Sequence, residues 1–372
     1  MNRARVSVFA TSVPRVKVHV GYNYPWAWNK SGLYFGGGSP PRSNKAMMGW
    51  VETLKPNLDK LQQAGIDLVR IFLLCNMSNL GEARGPGTGS TWDWTFVPPS
   101  RPLDTIFVEH LQAMLTAFRD RRMQVIPSLI DFKAICSARD PEARNDTKGS
   151  GLRYDIVTGR GVDFSAQQWF IDEIVKPFLT KSVPFKDTIF AWEVMNEPIW
   201  ALWFAPMSPY NDRSVGRDLL TIFLKRVLGE IESRGFQSTV GHRFIHNLGE
   251  LFDPGLPAGT KKQFHHYPYS FKGRFLAGLD GKLPKCPDGA FLGEFGAGPP
   301  QDGNHDWWPE VTNESALGTR KRVFERLKVI EQQAYPTALI WPDLGGDTIE
   351  SATDSLKLSP DALQGIVDYL RS

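Results

Sequence analysis

The chain has 372 residues, of which 41% are hydrophobic, and its 43 basic residues nearly balance 40 acidic ones. This length can bury a large core, and the charge balance gives no surface field strong enough to indicate a nucleic acid or an anionic membrane as partner. No stretch approaches the roughly 20 apolar residues that a membrane-spanning helix needs.

The N-terminal segment is a poor signal peptide, because Thr11, Ser12 and Pro14 interrupt a short apolar run. A cytoplasmic location is therefore the default expectation, and secretion would apply only if the native start is missing. With no linker and no low-complexity tail, residues 1–372 are expected to form a single domain in which residues 1–15 are an N-terminal extension. The sequence carries no indication of oligomeric state.

Short apolar runs alternate with amphipathic stretches along the chain. Eight runs predict strands at residues 16–22, 68–74, 125–130, 189–194, 243–246, 263–265, 291–294 and 338–341. Apolar residues at helical spacing predict helices around residues 50–64, 106–118, 170–178, 220–231, 323–330 and 362–370. This alternation indicates an α/β fold with parallel strands closed into a (β/α)8 TIM barrel. A doubly wound open sheet is the competing architecture. That fold usually has a glycine-rich phosphate loop after an early strand, and this sequence has none there.

Connections from strand to helix are long, whereas those from helix to strand are short. The long segments span residues 22–47, 75–103, 131–166 and 195–215, all predicted as loops. In a barrel such loops emerge at the carboxyl ends of the strands, where active sites lie. Tryptophans in loops, including Trp26 and Trp307, have flat faces that suit the apolar faces of sugar rings, although a buried anchor is the alternative for each.

Two glutamates end strands that face each other across a barrel of eight. Glu197 lies in Asn196-Glu197-Pro198 after the fourth strand, and Glu294 ends the seventh. Glycoside hydrolysis needs two such carboxyl groups, one protonated to assist the leaving group and one ionised to attack. A separation of about 5–5.5 Å indicates a retaining enzyme and about 6.5–9.5 Å an inverting one. Either glutamate alone is more often an ordinary solvated rim residue, so the case depends on the surrounding motif.

Together these motifs resemble the clan of retaining (β/α)8-barrel glycosidases, in particular glycoside hydrolase family 5, the cellulase and mannanase group. The resemblance extends from Gly21 to Trp341. It implies that Glu197 is the acid/base, that Glu294 is the nucleophile and that Asn196 binds the sugar 2-hydroxyl.

Four further positions are similar to the family pattern. Arg70 would lie beside the nucleophile and favour its ionised form, or form an interior ion pair with Glu193, and both can hold. His265 and Tyr267 look like a His-x-Tyr pair, in which the tyrosine donates to the nucleophile and the histidine bonds substrate or the acid/base. Trp341 resembles the platform under the sugar ring being cleaved, with a barrel-end plug as its alternative.

Asp131 stands where the family often has a histidine. It could bond a sugar hydroxyl or cap the strand end, which leaves the identity of the sugar open. The predicted function is hydrolysis of a β-linked oligo- or polysaccharide, of glucan or mannan type, by double displacement without a metal or organic cofactor. The alternatives are a transglycosylase using the same site and a non-catalytic carbohydrate-binding barrel.

Overall fold

The computed structural model describes most of the elements that the sequence predicts. The described residues are 17–24, 44–74, 81–86, 92–96, 105–132, 156–157, 164–199, 217–243, 256–267, 282–298, 308, 310–342 and 356–372. The expected N-terminal extension at residues 1–15 lies outside them, as do Trp26 and Trp307.

The strands form a closed parallel barrel and a separate hairpin. In chain order they are β1 (His19–Asn23), β2 (Leu68–Phe72), β3 (Gly81–Pro86), β4 (Trp92–Phe96), β5 (Gln124–Asp131), β6 (Trp192–Asn196), β7 (Ser238–His242), β8 (Lys261–His266), β9 (Ala290–Gly296) and β10 (Thr337–Trp341). The barrel runs β1-β2-β5-β6-β7-β8-β9-β10, and β10 pairs with β1, with every neighbouring pair parallel. The predicted (β/α)8 barrel is therefore confirmed.

Helices follow most of the barrel strands. They are α1 (Asn44–Gln63), α2 (Thr105–Arg119), α3 (Ser165–Phe170), a π-helical turn (Ile171–Val175), α4 (Lys176–Ser182), α5 (Arg217–Ser233), α6 (Thr319–Gln332) and α7 (Pro360–Arg371). Two 3-10 turns span Val183–Thr188 and Glu314–Ala316. Among the described helices, none combines the length and the apolar character that crossing a membrane requires.

Helix α5 illustrates why these segments are helical. Its buried residues recur three and four positions apart, so they form one apolar stripe against the barrel. These residues are Leu220, Phe223, Leu224, Val227, Leu228 and Ile231. Gly235 follows the helix with a φ of +72°, a left-handed conformation that glycine adopts without steric cost.

The barrel interior has an apolar plug at the amino ends of its strands. Leu68, Ile126, Phe291 and Leu339 form this buried cluster. Because side chains alternate along a strand, the residue two positions after Leu68 also points inward, and that residue is Arg70. A layer of polar side chains around Arg70, called the polar layer below, therefore lies directly above the plug, towards the carboxyl ends of the strands.

Two predicted element positions are wrong. The fifth barrel strand is Ser238–His242 and not 243–246. Its sequence has no apolar run because large side chains of neighbouring strands fill the space it faces: a Cβ on Gly241 would lie 2.8 Å from Glu193 Oε1. The segment 75–103, predicted as a loop, contains the antiparallel pair β3–β4.

Candidate active site

The predicted site residues meet at the carboxyl ends of the barrel strands. Asp131 ends β5, Asn196 ends β6 and Trp341 ends β10, while Glu197 directly follows β6. Glu294 lies near the end of β9, within a strand that is buried throughout. The strand order thus places residues from distant parts of the chain around one opening, as barrels generally do.

Bulges in β6 and β9 direct the polar side chains inward. Between Glu193 and Asn196 the chain advances three residues on β6 while β7 advances two, from Thr239 to Gly241. Strand β9 has a similar extra residue next to Glu294, where its pairing with both neighbours shifts. A bulge breaks the strict alternation of side chains, so residues three apart can face the same side.

Arg70 is the centre of the polar layer and has no exposed surface. Its Nε and Nη2 donate to the two carboxylate oxygens of Glu193 at 2.5 and 2.6 Å. Its Nη1 donates to Glu294 Oε1 at 2.5 Å and Asn23 Oδ1 at 3.0 Å, and Nη2 also donates to Asn196 Oδ1 at 2.7 Å. A guanidinium has five N–H groups, so each has an acceptor. Both contacts expected of Arg70 are present.

Glu294 is held at both carboxylate oxygens. Arg70 contacts Oε1, and the Tyr267 hydroxyl donates to Oε2 at 2.8 Å. Burial raises the pKa of Glu294 above its ordinary value, while His265 and Arg70 oppose the rise without cancelling it. Arg70 favours the ionised form, as expected, but burial outweighs that effect. Glu294 therefore needs a less acidic medium than an exposed glutamate to ionise.

The backbone at Glu197 is strained. Its φ is +44°, in the left-handed region where a side chain with a Cβ costs about 1–2 kcal/mol per residue. The backbone N–H of Glu197 donates to the carbonyl oxygen of Gly241 at 2.7 Å, which ties the turn to β7. Strain of this kind persists where the surroundings impose it and is concentrated at functional sites.

The side chain of Glu197 contacts a histidine and lies near an arginine. His265 Nδ1 is 2.8 Å from Glu197 Oε1, and Arg243 Nε is 3.9 Å from the same oxygen. Burial lowers the pKa of His265 to about 4, although Glu294 opposes this shift. The imidazole is therefore neutral near pH 7 and can either donate or accept at Nδ1, according to its tautomer.

Asn196 and Asp131 form a hydrogen-bonded pair across β5 and β6. Asn196 Nδ2 donates to Asp131 Oδ2 at 2.7 Å, while Asn196 Oδ1 accepts from Arg70. These contacts fix which end of the amide is nitrogen. Asp131 thereby orients Asn196, whose second amide N–H can serve a sugar hydroxyl, and the sugar contact or strand cap expected of Asp131 remains a prediction.

The two candidate catalytic carboxylates are close together. One oxygen of Glu197, one of Glu294 and a ring nitrogen of His265 all lie within 4.8 Å of one another. Such a trio has donor atoms suited to a divalent cation, but Arg70 contacts Glu294 Oε1 at 2.5 Å, and its charge opposes a second cation there. The arrangement suits two carboxylates acting on one bond.

Several polar residues of the site were missed from the sequence. Asn23 binds Arg70 and donates to the carbonyl of Gly293 at 3.0 Å, and Gln263 contacts Glu193 at 3.1 Å. Arg243 follows β7, whose position was mispredicted. Gln263 stands two residues before His265, so alternation along the strand was the signal that could have found it.

Trp341 is partly buried against the hydrophobic core at the end of β10. Its register pairs it with Gly296, two residues beyond Glu294, so it lies at the same end of the barrel as the two carboxylates. A platform role and a plug role are both compatible with partial burial, and the platform remains a prediction.

Comparison with known proteins shows the fold. No family model matches the chain, and no curated protein matches it in sequence. Among solved structures, the chain is similar to the β-1,4-mannanase of the sea hare Aplysia kurodai, with a TM-score of 0.59 and 15% identity over 95% of this chain and 92% of the other.

Two further structures extend this similarity. The β-mannanase of the blue mussel Mytilus edulis has a TM-score of 0.56 and 16% identity over 94% of this chain and 91% of the other. A family 5 lichenase from Caldicellulosiruptor sp. F32 has a TM-score of 0.51 and 12% identity over 95% and 93%. At this identity the likeness establishes the barrel fold, and the expected likeness to glycoside hydrolase family 5 structures is confirmed at that level.

Proposed function

We propose that the protein is a retaining β-glycosidase that hydrolyses β-linked glucans or mannans. The observation that carries this proposal is the pair Glu197 and Glu294, whose nearest oxygens lie within 4.8 Å. Retaining enzymes have carboxyl groups about 5–5.5 Å apart, whereas inverting enzymes leave about 6.5–9.5 Å for a water molecule. The mannanases and the lichenase among the similar structures support the substrate class.

In the proposed mechanism, Glu294 is the nucleophile. Arg70 and Tyr267 hold its two oxygens in fixed positions, which suits attack on an anomeric carbon. Only the ionised carboxylate attacks, and burial raises the pKa of Glu294. The acidic limb of the pH–rate profile should therefore lie at a higher pH than an exposed glutamate would give.

Glu197 is the acid/base in this mechanism. It protonates the departing oxygen in the first step and deprotonates water in the second. The charge on Glu294 disfavours a second charge nearby, and that charge disappears when Glu294 becomes esterified. Glu197 is therefore favoured as an acid in the free enzyme and as a base in the glycosyl-enzyme.

A substrate panel tests the proposal. Aryl β-glycosides and β-linked oligosaccharides would be incubated with the wild type and with Glu197→Gln, and the anomer of the first product followed by NMR. We expect a β product from the wild type and a loss of about 10²–10⁴-fold in the variant, the usual contribution of a positioned acid or base. An α product would overturn the retaining mechanism.

Two controls separate the roles. Glu232→Gln makes the same chemical change at a residue that contacts Ser238 at the start of β7, and it should keep full activity. Glu294→Ala with azide should yield an α-glycosyl azide, because azide enters from the vacated face. Glu197→Ala with azide should yield the β-glycosyl azide, and the reverse pattern would exchange the two assignments. High concentrations of acceptor sugar would reveal transglycosylation by product analysis.

A further inference from the structure

Gln263 is a fully buried polar residue, and among the described residues its side-chain hydrogen bonds reach neither candidate catalytic carboxylate. It lies on β8 two residues before His265, so both side chains face the barrel interior. A buried amide is costly unless its donors and acceptors are matched, and its orientation is then set by its neighbours.

Glu193 fixes the orientation of this amide. Gln263 Nε2 donates to Glu193 Oε2 at 3.1 Å, and Thr239 Oγ1 lies 3.2 Å from Gln263 Oε1. Burial raises the pKa of Glu193, but the ion pair with Arg70 outweighs it and holds that pKa below its ordinary value. Glu193 is therefore a charged acceptor, and a flipped amide would turn an oxygen towards it.

The same amide nitrogen faces the ring of His265. Gln263 Nε2 is 3.5 Å from His265 Nε2, a long contact in which the amide can act only as donor. If the ring nitrogen also carried a hydrogen, two N–H groups would point at each other. A neutral ring with its hydrogen on Nδ1 avoids this clash.

The contact with Glu197 does not by itself select this tautomer, and Glu294 Oε1, 3.5 Å from Nδ1, acts in the same direction as Gln263 when it is ionised. His265 Nδ1 lies 2.8 Å from Glu197 Oε1, and when Glu197 acts as an acid that oxygen could itself carry the proton and donate it to the ring. With Nδ1 protonated, two hydrogens would meet at this contact. The proton of Glu197 is then confined to Oε2.

We infer that Gln263 is a positioning residue that holds His265 as the Nδ1–H tautomer and thereby keeps the acid proton of Glu197 on Oε2, available to the leaving group. This role rests on the proposed glycosidase function. Without Gln263, the ring could accept a hydrogen bond from Glu197 Oε1, and the proton would be directed away from the substrate.

The backbone of β9 accommodates Gln263 closely. A Cβ on Gly293 would lie 2.4 Å from Gln263 Nε2 and 2.6 Å from its Cγ, so only glycine leaves room for the amide. Gly293 belongs to the bulged stretch of β9 and immediately precedes Glu294. The position of the Gln263 side chain and that of Glu294 therefore both depend on the backbone at Gly293.

The first test observes the tautomer directly. The protein would be labelled with ¹⁵N-histidine, and two-bond ¹H–¹⁵N spectra recorded near pH 7, with the His265 signals assigned by their loss in His265→Asn. We expect Nδ1–H in the wild type and the Nε2–H form, alone or in a mixture, in Gln263→Met, which keeps the size of the side chain but removes its donors. An Nε2–H ring in the wild type would overturn the inference, whether or not any variant folds.

The second test uses the leaving group. Gln263→Met should lose about tenfold or more in kcat on sugar or alkyl leaving groups, within the roughly 10²–10⁴-fold that a positioned acid contributes. Dinitrophenyl glycosides need no protonation of the leaving group, so turnover limited by glycosylation should change little. A merely structural role would lower both rates together.

Ser128→Ala is the matched control. Ser128 Oγ donates to the other oxygen of Glu193 at 3.1 Å, so this variant removes one hydrogen bond from the same carboxylate without contacting Gln263. It should keep the Nδ1–H tautomer. An unchanged tautomer and an unchanged leaving-group dependence in Gln263→Met would refute the role of Gln263. If the wild type cleaves no substrate, the proposed function fails, while the spectra still decide the tautomer.

Discussion

Arg70 and Arg326 are both fully buried, but they lie in different surroundings. Arg70, inside the barrel, has five acceptors, including two carboxylates. Arg326, on α6, donates to Glu314 Oε1 at 2.5 Å and to the carbonyl of Gly296, and its Nη2 has no hydrogen bond among the described residues.

The acidity of the two guanidinium groups differs accordingly. Burial lowers the pKa of Arg70, but Glu193 and Glu294 outweigh it and raise the pKa above its ordinary value. Burial lowers the pKa of Arg326 to about 10, because Glu314 compensates only in part and Arg322 adds to the shift. The comparison shows that the cost of burying an arginine depends on how many acceptors surround it. The arginine with more acceptors, Arg70, lies at the site where catalysis is proposed.

Removing Arg70 should have the largest effect. Arg70→Met leaves Glu193 and Glu294 buried without their cation, so we expect a loss of about 3–5 kcal/mol in unfolding free energy. The kcat/KM on an aryl β-glycoside should also fall by about 10²–10³-fold or more, as when an electrostatic contact to a reacting group is lost. Urea unfolding and steady-state kinetics would measure both.

Arg121→Met serves as the control for this substitution. Arg121 forms a partly exposed ion pair with Asp59 at 2.7 Å, and such pairs contribute about 0–1 kcal/mol. If Arg70→Met kept full activity per folded molecule, the proposed dependence of catalysis on the polar layer would be wrong.

Removing Arg326 should affect stability alone. Arg326→Met leaves the buried carboxylate of Glu314 without its Arg326 cation, which costs about 3–5 kcal/mol, whereas kcat/KM per folded molecule should not change. Adding Glu314→Gln removes the buried negative charge and keeps an acceptor for the backbone N–H of Trp308, which is 2.9 Å from Glu314 Oε2, so much of the stability should return. The Arg326 guanidinium also lies over the Trp308 ring, 5.9 Å from its centroid, so a double variant as unstable as Arg326→Met would show that this lost packing, and not charge, is the origin of the loss.

The room for an added methyl group differs between a glycine beside Arg70 and one near the end of β9. A Cβ on Gly241 would lie 2.8 Å from Glu193 Oε1 and 3.2 Å from Arg70 Nη2, so Gly241→Ala should cost about 1–3 kcal/mol through overpacking. Near the end of β9, a Cβ on Gly298 would meet no described atom within 4 Å, and Gly298→Ala should change stability by less than about 0.5 kcal/mol. Thermal unfolding of both variants would measure the difference, and equal costs would contradict it.

The last expected effect is a dependence of stability on pH. His265 faces the carboxylates around Arg70, whereas His266 packs on Trp308 near Arg326. Burial, with Arg243 and Arg326 adding to it, lowers the pKa of His266 from 6.5 to about 3. Between these values the unfolded chain binds the proton and the folded chain does not, so the stability from this group is present above pH 6.5 and is lost as pH falls.

Urea unfolding of His266→Gln between pH 4 and pH 6 tests this expectation. The slope of unfolding free energy against pH should be smaller than in the wild type by about 1.4 kcal/mol per pH unit. Glu294, whose pKa is raised, contributes in the opposite direction in both proteins. An unchanged slope would mean that His266 takes up its proton equally in the folded and unfolded states.

Local sequence patterns were sufficient for most of the fold. Strands such as Leu68–Phe72 are continuous apolar runs, because both faces of a parallel barrel strand are buried. The strand Ser238–His242 does not follow this pattern. Its inward residues, Thr239 and Gly241, are small because the side chains of Glu193 and Gln263 occupy the space they face. Hydrophobicity cannot predict a strand whose neighbours supply the bulk.

The candidate carboxylates and Arg70 were predictable because each interrupts or ends an apolar run. The supporting polar residues were not, since their partners come from strands far away in sequence: Asn23 and Arg70, or Thr239 and Gln263. The bulges in β6 and β9 could not be predicted from the sequence either, because a bulge is defined by the pairing between two strands and not by the residues of one strand.

The left-handed backbone conformation of Glu197 lowers stability at the position of the proposed acid. Glycine adopts a φ of +44° freely, so Glu197→Gly should unfold at a higher temperature than Glu197→Ala, by the equivalent of about 1 kcal/mol. At this position a single substitution removes the proposed acid and relaxes the chain at once. Selection for stability at this position favours glycine, whereas the proposed acid role requires glutamate, so the two demands oppose each other.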